Sequence, residues 1–352
     1  MKNLLLFTAF VFVFELSYAQ QDAYFSQGIE NYYFLNPAAG GLSGFGELSI
    51  GNRTQWLSVE GNPQTFYVSG QSQIRFKKSS NPNVLNPLVK SESTIFSEGN
   101  RTIGRKNILG GKVILDQIGP FKTTQYSGSF AVHLPVNSKM CLGIGLGLGM
   151  RSFGIDNSRV SLATQNDYTY YSYFGQVSNQ NYLDANAGLV FYGEKFLVSL
   201  STSQLFNNDL IVNDITTTNK HVRHYYGTVA YSVFESKTLK VEPIVSFRAV
   251  PNTPFNLEFC ARVSAKKYGW AIVGLRGSGR TVVGLGTKLF NHFKVSYAVE
   301  FGIGKTSGFG NGTHEIQLAY RFGSSKKSPK VEENNDFVPL PASNTSPSEN
   351  DN

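Results

Sequence analysis

The sequence has little of what several common protein classes require. Only two of its 352 residues are cysteine, Cys141 and Cys260, too few for a disulfide framework. Charged residues make up only 16% of the chain. Beyond residue 19, no apolar run approaches the roughly 20 residues that a membrane-spanning helix needs. Disulfide-stapled and helical membrane folds are therefore excluded, and a form embedded in a membrane would have to be a closed barrel.

The chain also lacks a catalytic or metal-binding pattern. Its five histidines form no HExxH motif, no CxxC pair exists, and the glycine-rich stretches lack the GK[ST] ending of a phosphate loop. The nearest approach to a hydrolase is His133, on a predicted inner face near Ser127 and Ser129, but nothing in the spacing holds nucleophile and base together. We predict that the protein is not an enzyme and uses no cofactor or metal.

A nucleic-acid partner is not predicted either. The formal charge is +8 and the pI is near 9.2. The lysines and arginines are scattered among strands and connections, however, and form no basic stripe.

The first residues have the pattern of an export signal. Met1–Asn3 is basic, Leu4–Phe14 is apolar, and a small-residue cleavage site ends at Ala19. We expect residues 1–19 to be a signal peptide.

Alternation of apolar and polar residues is abundant. The chain holds 13% aromatic residues and 35 glycines, a composition typical of β-rich proteins. In Gly312–Phe322 the apolar side chains fall on one face and the polar ones on the other, as a strand requires. In Met140–Met150 large apolar residues alternate with glycine. This glycine face indicates either a wall that another segment approaches closely or a sharply curved part of a barrel.

Segments of about ten residues with this period are typical of transmembrane strands. Polar residues such as Glu258, Arg262 and Glu300 on the other face predict a wet lumen, because unpaired charge is costly in a sandwich core. The fold class is therefore all-β, a transmembrane antiparallel up-and-down β-barrel of about 14 strands. The predicted strands are 45–55, 64–77, 108–117, 122–134, 139–152, 182–193, 195–204, 221–234, 238–249, 255–265, 268–276, 280–290, 292–303 and 312–322.

The remaining segments complete the predicted organisation. Residues 20–44 form an N-terminal segment, a plug or periplasmic turn, in which Asn36 and Pro37 fix the turn into the first strand. The outer-membrane barrel covers 45–322, with a flexible insertion at 78–107 on the periplasmic side. Residues 323–352 are polar and are predicted to be a disordered periplasmic tail.

One loop is rich in tyrosine. Tyr168, Tyr170, Tyr171 and Tyr173 lie in the longest predicted extracellular connection. Tyrosine gives large contact area at low entropic cost, which suits a surface that docks a protein. A loop that packs on itself over the barrel mouth is the alternative.

Several motifs, in order, resemble the PorP/SprF family of type IX secretion system membrane proteins. They are FSQ at 25–27 with FLNPA at 34–38, RTQW at 53–56 with EGNPQT at 60–65, DQIGP at 116–120 with TT at 123–124, and GTHEI at 312–316 with YRF at 320–322. The resemblance extends from residue 21 to residue 322. It implies an outer-membrane barrel whose partners are type IX secretion components and a secreted adhesin or its C-terminal domain. The insertion and the long tail depart from the family pattern.

Two functions follow as hypotheses. The first is an accessory of type IX secretion in the outer membrane that aids export or surface attachment of an adhesin, or couples to the periplasmic secretion and gliding machinery. The alternative is a passive outer-membrane channel or a transporter of hydrophobic compounds. The candidate structural and partner-contact residues are Asn36, Pro37, Arg53, Gln55, Trp56, Gly61, Tyr168, Tyr170, Tyr171, Tyr173, His314 and Glu315.

Overall fold

A computed structural model describes most of the predicted barrel. It covers residues 24–74, 101–162, 164, 168, 170, 180–206, 209–212, 215–220, 222–265, 267–290, 292–303 and 311–323. The predicted signal peptide, most of the predicted insertion and nearly all of the predicted tail lie outside these residues. None of the helices in this part of the chain has the length and apolar character needed to cross a membrane.

The described elements are short helical turns and many strands. The helix α1 (Tyr32–Leu35) and a 3-10 helix (Pro37–Ala39) precede the sheet, and a second 3-10 helix (Asn157–Arg159) follows the fifth strand. The strands are β1 (Gly46–Gln55), β2 (Gln64–Ile74), β3 (Lys106–Ile118), β4 (Phe121–Asn137), β5 (Met140–Ile155), β6 (Gln180–Gly193), β7 (Phe196–Ser203), β8 (Asp209–Val212), β9 (Ile215–Lys220), β10 (His224–Tyr231), β11 (Phe234–Glu235), β12 (Leu239–Ala249), β13 (Asn256–Ala265), β14 (Gly269–Arg276), β15 (Arg280–Leu289), β16 (Phe293–Gly302) and β17 (Thr313–Phe322).

Fourteen of these strands close into one antiparallel barrel, which confirms the predicted fold class. Each strand pairs with its neighbours in sequence, β10 bridges β7 and β12, and β17 pairs with β1 from Gly46↔Phe322 to Gln55↔Thr313. The two-residue strand β11 extends the sheet beside β12. The hairpin β8–β9 forms a separate sheet within the predicted loop between the seventh and eighth barrel strands, where no strand was predicted.

The outer face carries an apolar band. In β17 the side chains of Ile316, Leu318 and Tyr320 are 40–48% exposed, whereas those of Glu315 and Gln317 are buried inside. In β5 the leucines, Ile144 and Met150 face outwards and the glycines face inwards. Large apolar side chains on the outside and polar ones inside are the pattern of a barrel that meets lipid.

The two ends of the barrel differ. We call the end with the β1–β2, β3–β4 and β5–β6 connections the upper end, and the end where β1 starts at Gly46 and β17 stops at Phe322 the lower end. An apolar core fills the lower half of the lumen. Buried side chains from the wall, including Cys141, Tyr192 and Leu197, pack there with Ile29 and Ala38 of the N-terminal segment.

The predicted insertion at 78–107 is partly corrected by the structure. Lys106 and Asn107 already belong to β3, and Arg101 is buried in an ion pair with Glu242, its Nη2 lying 2.6 Å from Oε1. The Thr102 N–H donates to the carbonyl of Leu42. Residues 101–105 are therefore part of the lumen filling, and residues 78–100 lie outside the described residues.

Candidate functional site

The N-terminal segment, residues 24–45, runs down through the lumen. Its upper part meets a group of carboxylates near the upper end of β13, β16 and β17. The Ser26 N–H donates to Glu315 at 2.7 Å, and its hydroxyl donates to Glu300. The Tyr24 hydroxyl donates to Glu258 at 2.6 Å. Burial raises the pKa of Tyr24, so this phenol stays a proton donor.

Arginines balance these carboxylates. Arg53 is 2% exposed and lies between Glu300 (3.3 Å) and Glu315 (3.6 Å). Arg276 pairs with both Glu258 and Glu300, at 2.8 Å each. Breaking a buried pair from one side is costly because it leaves an uncompensated charge. We call these five residues with Tyr24 and Ser26 the upper charge cluster.

A second set of charged contacts lies along the same wall. Glu30 of the segment pairs with Arg262 at 3.1 Å, and the Arg262 guanidinium lies over the ring of Trp270. Glu47 pairs with Lys294 and Arg321 near the lower end. The prediction that Glu258, Arg262 and Glu300 face inwards is confirmed, but these three side chains do not face water: all are less than 8% exposed because the segment covers them.

The opposite wall is built of glycine, and the segment lies directly against it. A Cβ at Gly145 would come within 2.4 Å of the Ala38 nitrogen, and one at Gly188 would collide with the amide of Asn36. Gly110 likewise faces the ring of Tyr33. Of the two explanations left open for the glycine face, these contacts support the close approach of another segment.

Asn36 is the anchor of this contact. Its amide nitrogen donates to Ser199 Oγ at 2.8 Å and to the carbonyls of Leu189 and Leu200. Its side-chain oxygen accepts the Ala38 N–H at 2.8 Å and caps the 3-10 helix, in which Pro37 occupies the first position. The sequence thus places a cap and a proline where the segment turns against β6 and β7.

The serine and histidine of the weighed hydrolase arrangement have other partners. His133 Nε2 donates to the Ala38 carbonyl at 2.9 Å, and Nδ1 lies 2.8 Å from the Tyr192 hydroxyl. The Ser129 hydroxyl contacts Tyr33 instead. His133 therefore joins the segment to the wall residue Tyr192, and Ser129 does not serve as its partner. No group of three His, Cys, Asp or Glu in the described ranges is arranged to hold a metal ion.

A cavity lies above the segment. It encloses about 660 Å³, open solvent included, with Phe25, Phe34 and Leu35 as its floor. Its wall is polar and includes Lys112, which donates to the Phe34 carbonyl at 2.6 Å, and Arg151. This cavity, which we call the vestibule, lies in the upper half of the lumen beside β3–β7, above the packed lower half.

Residues of RTQW, EGNPQT, DQIGP with TT, and GTHEI meet at the upper end, although these motifs are far apart in sequence. YRF at 320–322 lies at the lower end instead. Glu315, Arg53, Thr65, Asp116 and Thr123 lie side by side on β17, β1, β2, β3 and β4. Within this row the Thr65 hydroxyl donates to Asp116 at 2.5 Å. This row joins residues of four motif regions into one structural unit, which we call, with the β1–β2 loop, the upper rim.

Backbone bonds hold the β1–β2 loop of the upper rim in place. The Trp56 N–H donates to the Gly312 carbonyl at 2.8 Å, and the Gly61 carbonyl accepts the Gly119 N–H at 2.9 Å. Gly61 and Gly119 have φ of 70° and 56°, a region that favours glycine. Trp56 has φ of 51° as well, which is strained for a large side chain. Between these bonds the loop exposes Leu57 and Val59.

The other predicted residues are distributed as follows. Gln55 is half-buried, and its carbonyl accepts from the Asn62 amide at 3.0 Å. The His314 side chain contacts the Tyr297 hydroxyl on the outer face. Tyr168 is 84% exposed, and Tyr170 donates to Asn157 at 2.9 Å. Tyr171 and Tyr173 lie outside the described residues.

Sequence reasoning left several members of the site out. The upper charge cluster is completed by Tyr24, Ser26, Glu258, Arg276 and Glu300, yet only Arg53 and Glu315 were among the candidates. The signal that could have found them is the placement of charged residues on the inner faces of neighbouring strands. Their partners on the N-terminal segment are neutral and carry no such signal.

Comparison with known proteins gives one strong match. The model of the family described as "Type IX secretion system membrane protein PorP/SprF" matches residues 17–320. None of the curated proteins compared with the chain matches it.

Solved structures give distant likenesses. The toluene transporter TbuX of Ralstonia pickettii is 10% identical, with a TM-score of 0.48 over 82% of this chain and 92% of its own. The CymD monoaromatic hydrocarbon channel is 10% identical, with a TM-score of 0.48 over 85% and 94%. The toluene transporter TodX of Pseudomonas putida is 8% identical, with a TM-score of 0.44 over 83% and 93%. Likenesses at this level do not bear on what this barrel does.

Proposed function

The chain belongs to the PorP/SprF family of type IX secretion system membrane proteins, and from that premise we propose that it is a non-enzymatic accessory of this system in the outer membrane. It aids export or surface attachment of a secreted adhesin, or couples the barrel to the periplasmic secretion and gliding machinery. The observation that carries the proposal is the filled lumen: residues 24–45 and 101–105 occupy the space that a channel would leave open.

The bonding of the segment supports an accessory over a passive channel. Opening a channel for solutes through the lumen would break the contacts of Ser26, Glu30 and Asn36 with the barrel wall. It would also expose the apolar core around Ala38. Each buried hydrogen bond contributes on the order of 1 kcal/mol, and a buried group left unpaired costs more. Thermal motion alone would seldom open such a lumen.

The upper rim supports a role in docking a partner. Its β1–β2 loop is held by backbone bonds to neighbouring connections, so little ordering is needed on binding. It presents Leu57 and Val59, which are 50% and 45% exposed, at an end of the barrel rather than in the apolar band. We propose that this rim, with the tyrosine-rich connection that contains Tyr168, contacts the secreted partner.

Conductance in planar bilayers distinguishes the accessory from the channel. We expect the full-length protein to conduct little and a variant without residues 24–40 to conduct well, because β1–β17 keep their own pairing partners. The variant Asn36→Ala, which keeps the segment, should show brief openings. A large steady conductance of the unaltered protein would support the passive channel instead.

Secretion in cells tests the biological role. Deleting the gene should lower the surface level of at least one type IX cargo, and the full-length gene should restore it. Normal surface levels of every cargo after deletion would contradict the proposal.

A further inference from the structure

Arg248 is a buried cation in the upper half of the lumen. It lies on β12, directly opposite Tyr226 of β10, and is 5% exposed. Its guanidinium lies 5.6 Å from the ring centre of Tyr24 and 5.9 Å from that of Tyr226. Aromatic faces attract a cation but do not neutralise it. A guanidinium at this depth ordinarily has a carboxylate partner.

Arg248 has no such partner among the described residues. Its Nε and Nη2 atoms are buried without a hydrogen bond. The nearby carboxylates Glu258, Glu300 and Glu315 are paired with other arginines.

The carboxylates near Arg248 already have partners of their own. Arg53 and Arg276 make the close buried pairs with Glu258, Glu300 and Glu315. No carboxylate of the described residues lies within ion-pair distance of Arg248, so its guanidinium has no direct counter-charge. The side chain of Asn256, opposite Arg248 on β13, has an unpaired buried oxygen. That amide can accept a hydrogen bond, but as a neutral group it supplies no counter-charge.

Arg248 lines a cavity that also offers hydroxyl groups. The cavity measures about 460 Å³ with open solvent included, and Thr228, Ser246 and Ile29 are among its walls. Glu258 also lines it, but its carboxylate is paired with Arg276 at 2.8 Å. Thr228 and Ser246 share one hydrogen bond of 3.2 Å, so one of their two hydroxyl hydrogens remains for another acceptor. The water-accessible part has room for about two water-sized groups.

We propose that this cavity binds a small monovalent anion, of the size of chloride or of a single carboxylate group. Arg248 supplies the charge, and the Thr228–Ser246 pair supplies a hydroxyl donor. A bound anion would give Arg248 the charged partner that it lacks and would lie beside Tyr24 of the upper charge cluster. The site is independent of the proposed role in secretion.

Chloride-35 NMR of the purified full-length barrel in detergent tests the site. Exchange with a macromolecular site broadens the chloride line, and we expect broadening by the unaltered protein. Arg248→Met should reduce the line width to that of protein-free detergent. Arg223→Met, the same change at an exposed arginine outside the cavity, should leave the broadening unchanged. Equal broadening by the unaltered protein and by Arg248→Met would overturn the proposal.

Competition identifies the source of the anion. Acetate should displace chloride if the site accepts carboxylates in general. If the natural anion is the C-terminal carboxylate of a peptide chain, an acetylated dipeptide with a free carboxylate should displace chloride. The amide of the same dipeptide should not. If Arg248→Met does not fold, crystals of the unaltered protein soaked in bromide decide the matter. An anomalous peak beside the guanidinium supports the site, and crystals without one overturn it.

Discussion

Ser26 illustrates how single residues couple the N-terminal segment to the barrel. Its backbone and its hydroxyl donate to two glutamates on different strands, at a sequence separation of 289 and 274 residues. Because Ser26 is a neutral donor, it bonds to the two glutamates without displacing the arginines that pair with them. The segment thereby adds hydrogen bonds to the upper charge cluster without adding charge.

Arg53 is the residue whose loss should matter most in this cluster. Arg53→Met leaves Glu315 without its arginine and Glu300 with Arg276 and distant Arg280. We expect the free energy of unfolding to fall by about 3–5 kcal/mol, as for other buried pairs broken from one side. Urea unfolding followed by tryptophan fluorescence measures this. Arg53→Met combined with Glu315→Gln should recover part of the loss, and additive effects would contradict the pairing.

Gly145 tests the contact between the wall and the segment. Gly145→Ala places a methyl group 2.4 Å from the Ala38 nitrogen, so the segment or the strand must move. We expect a loss of roughly 1–3 kcal/mol in unfolding free energy, typical of overpacking. Gly128→Ala is the matched control, because no atom lies within 4 Å of the added carbon. Equal stability of the two variants would contradict the packing.

At the scale of elements, the sequence predicted the barrel strands well. The predicted strand 312–322 is observed as Thr313–Phe322, and the predicted strand 122–134 as Phe121–Asn137. A period of two identifies such strands because each faces an apolar outside and a polar or glycine inside. The period of two shows on which face of the strand a residue lies, but not which residue it contacts. That Ser26 meets Glu315 follows from the register of the whole barrel, which no single segment encodes.

The hairpin β8–β9 was missed for a related reason. It lies between β7 and β10 and pairs only with itself within the described residues. Its segments are short, and DLIV next to ITTTNK does not alternate as a barrel strand does. An alternation of apolar and polar residues identifies a strand that has lipid on one face and the lumen on the other. A hairpin that extends a loop does not have two such faces, so its sequence does not alternate in this way.

Cysteine labelling tests how firmly the N-terminal segment is held. In a background with Cys141→Ser and Cys260→Ser, Ala38→Cys should react very slowly with a water-soluble thiol reagent because Ala38 is fully buried. Adding Asn36→Ala removes the amide bonds to Ser199, Leu189 and Leu200 and should speed labelling several-fold. Fast labelling before that change would mean that the lumen filling is loose.

The position of β17 predicts that the barrel forms without the residues beyond 323. The backbone partners of β17 lie on β1 and β16, and Gly46 pairs with Phe322. A protein ending at Gly323 should therefore form a heat-resistant barrel, visible as a mobility shift on gels of unheated samples. Loss of that shift would show that residues beyond 323 take part in barrel formation.

At the scale of the whole molecule, the two ends have different surfaces. The lower half is packed, while the upper end holds the vestibule and the upper rim. Leu57→Ser with Val59→Ser should lower co-purification of a secreted partner without changing barrel stability, because both side chains are exposed. Val136→Ser, a similar change at an exposed residue of the lower end, is the control. Equal recovery of the partner from both variants would contradict docking at the rim.

The position of the segment constrains the order of assembly. Glu315, which accepts the Ser26 N–H, lies on β17, the last of the described strands, and β17 also forms the seam of the barrel with β1. Arg53 reaches across the same seam. The pairing of β17 with β1 thus completes the site that receives Ser26, which lies 289 residues earlier in the chain. Seam closure and lumen filling become one event, so a chain whose leading segment is misplaced would also have a weak seam.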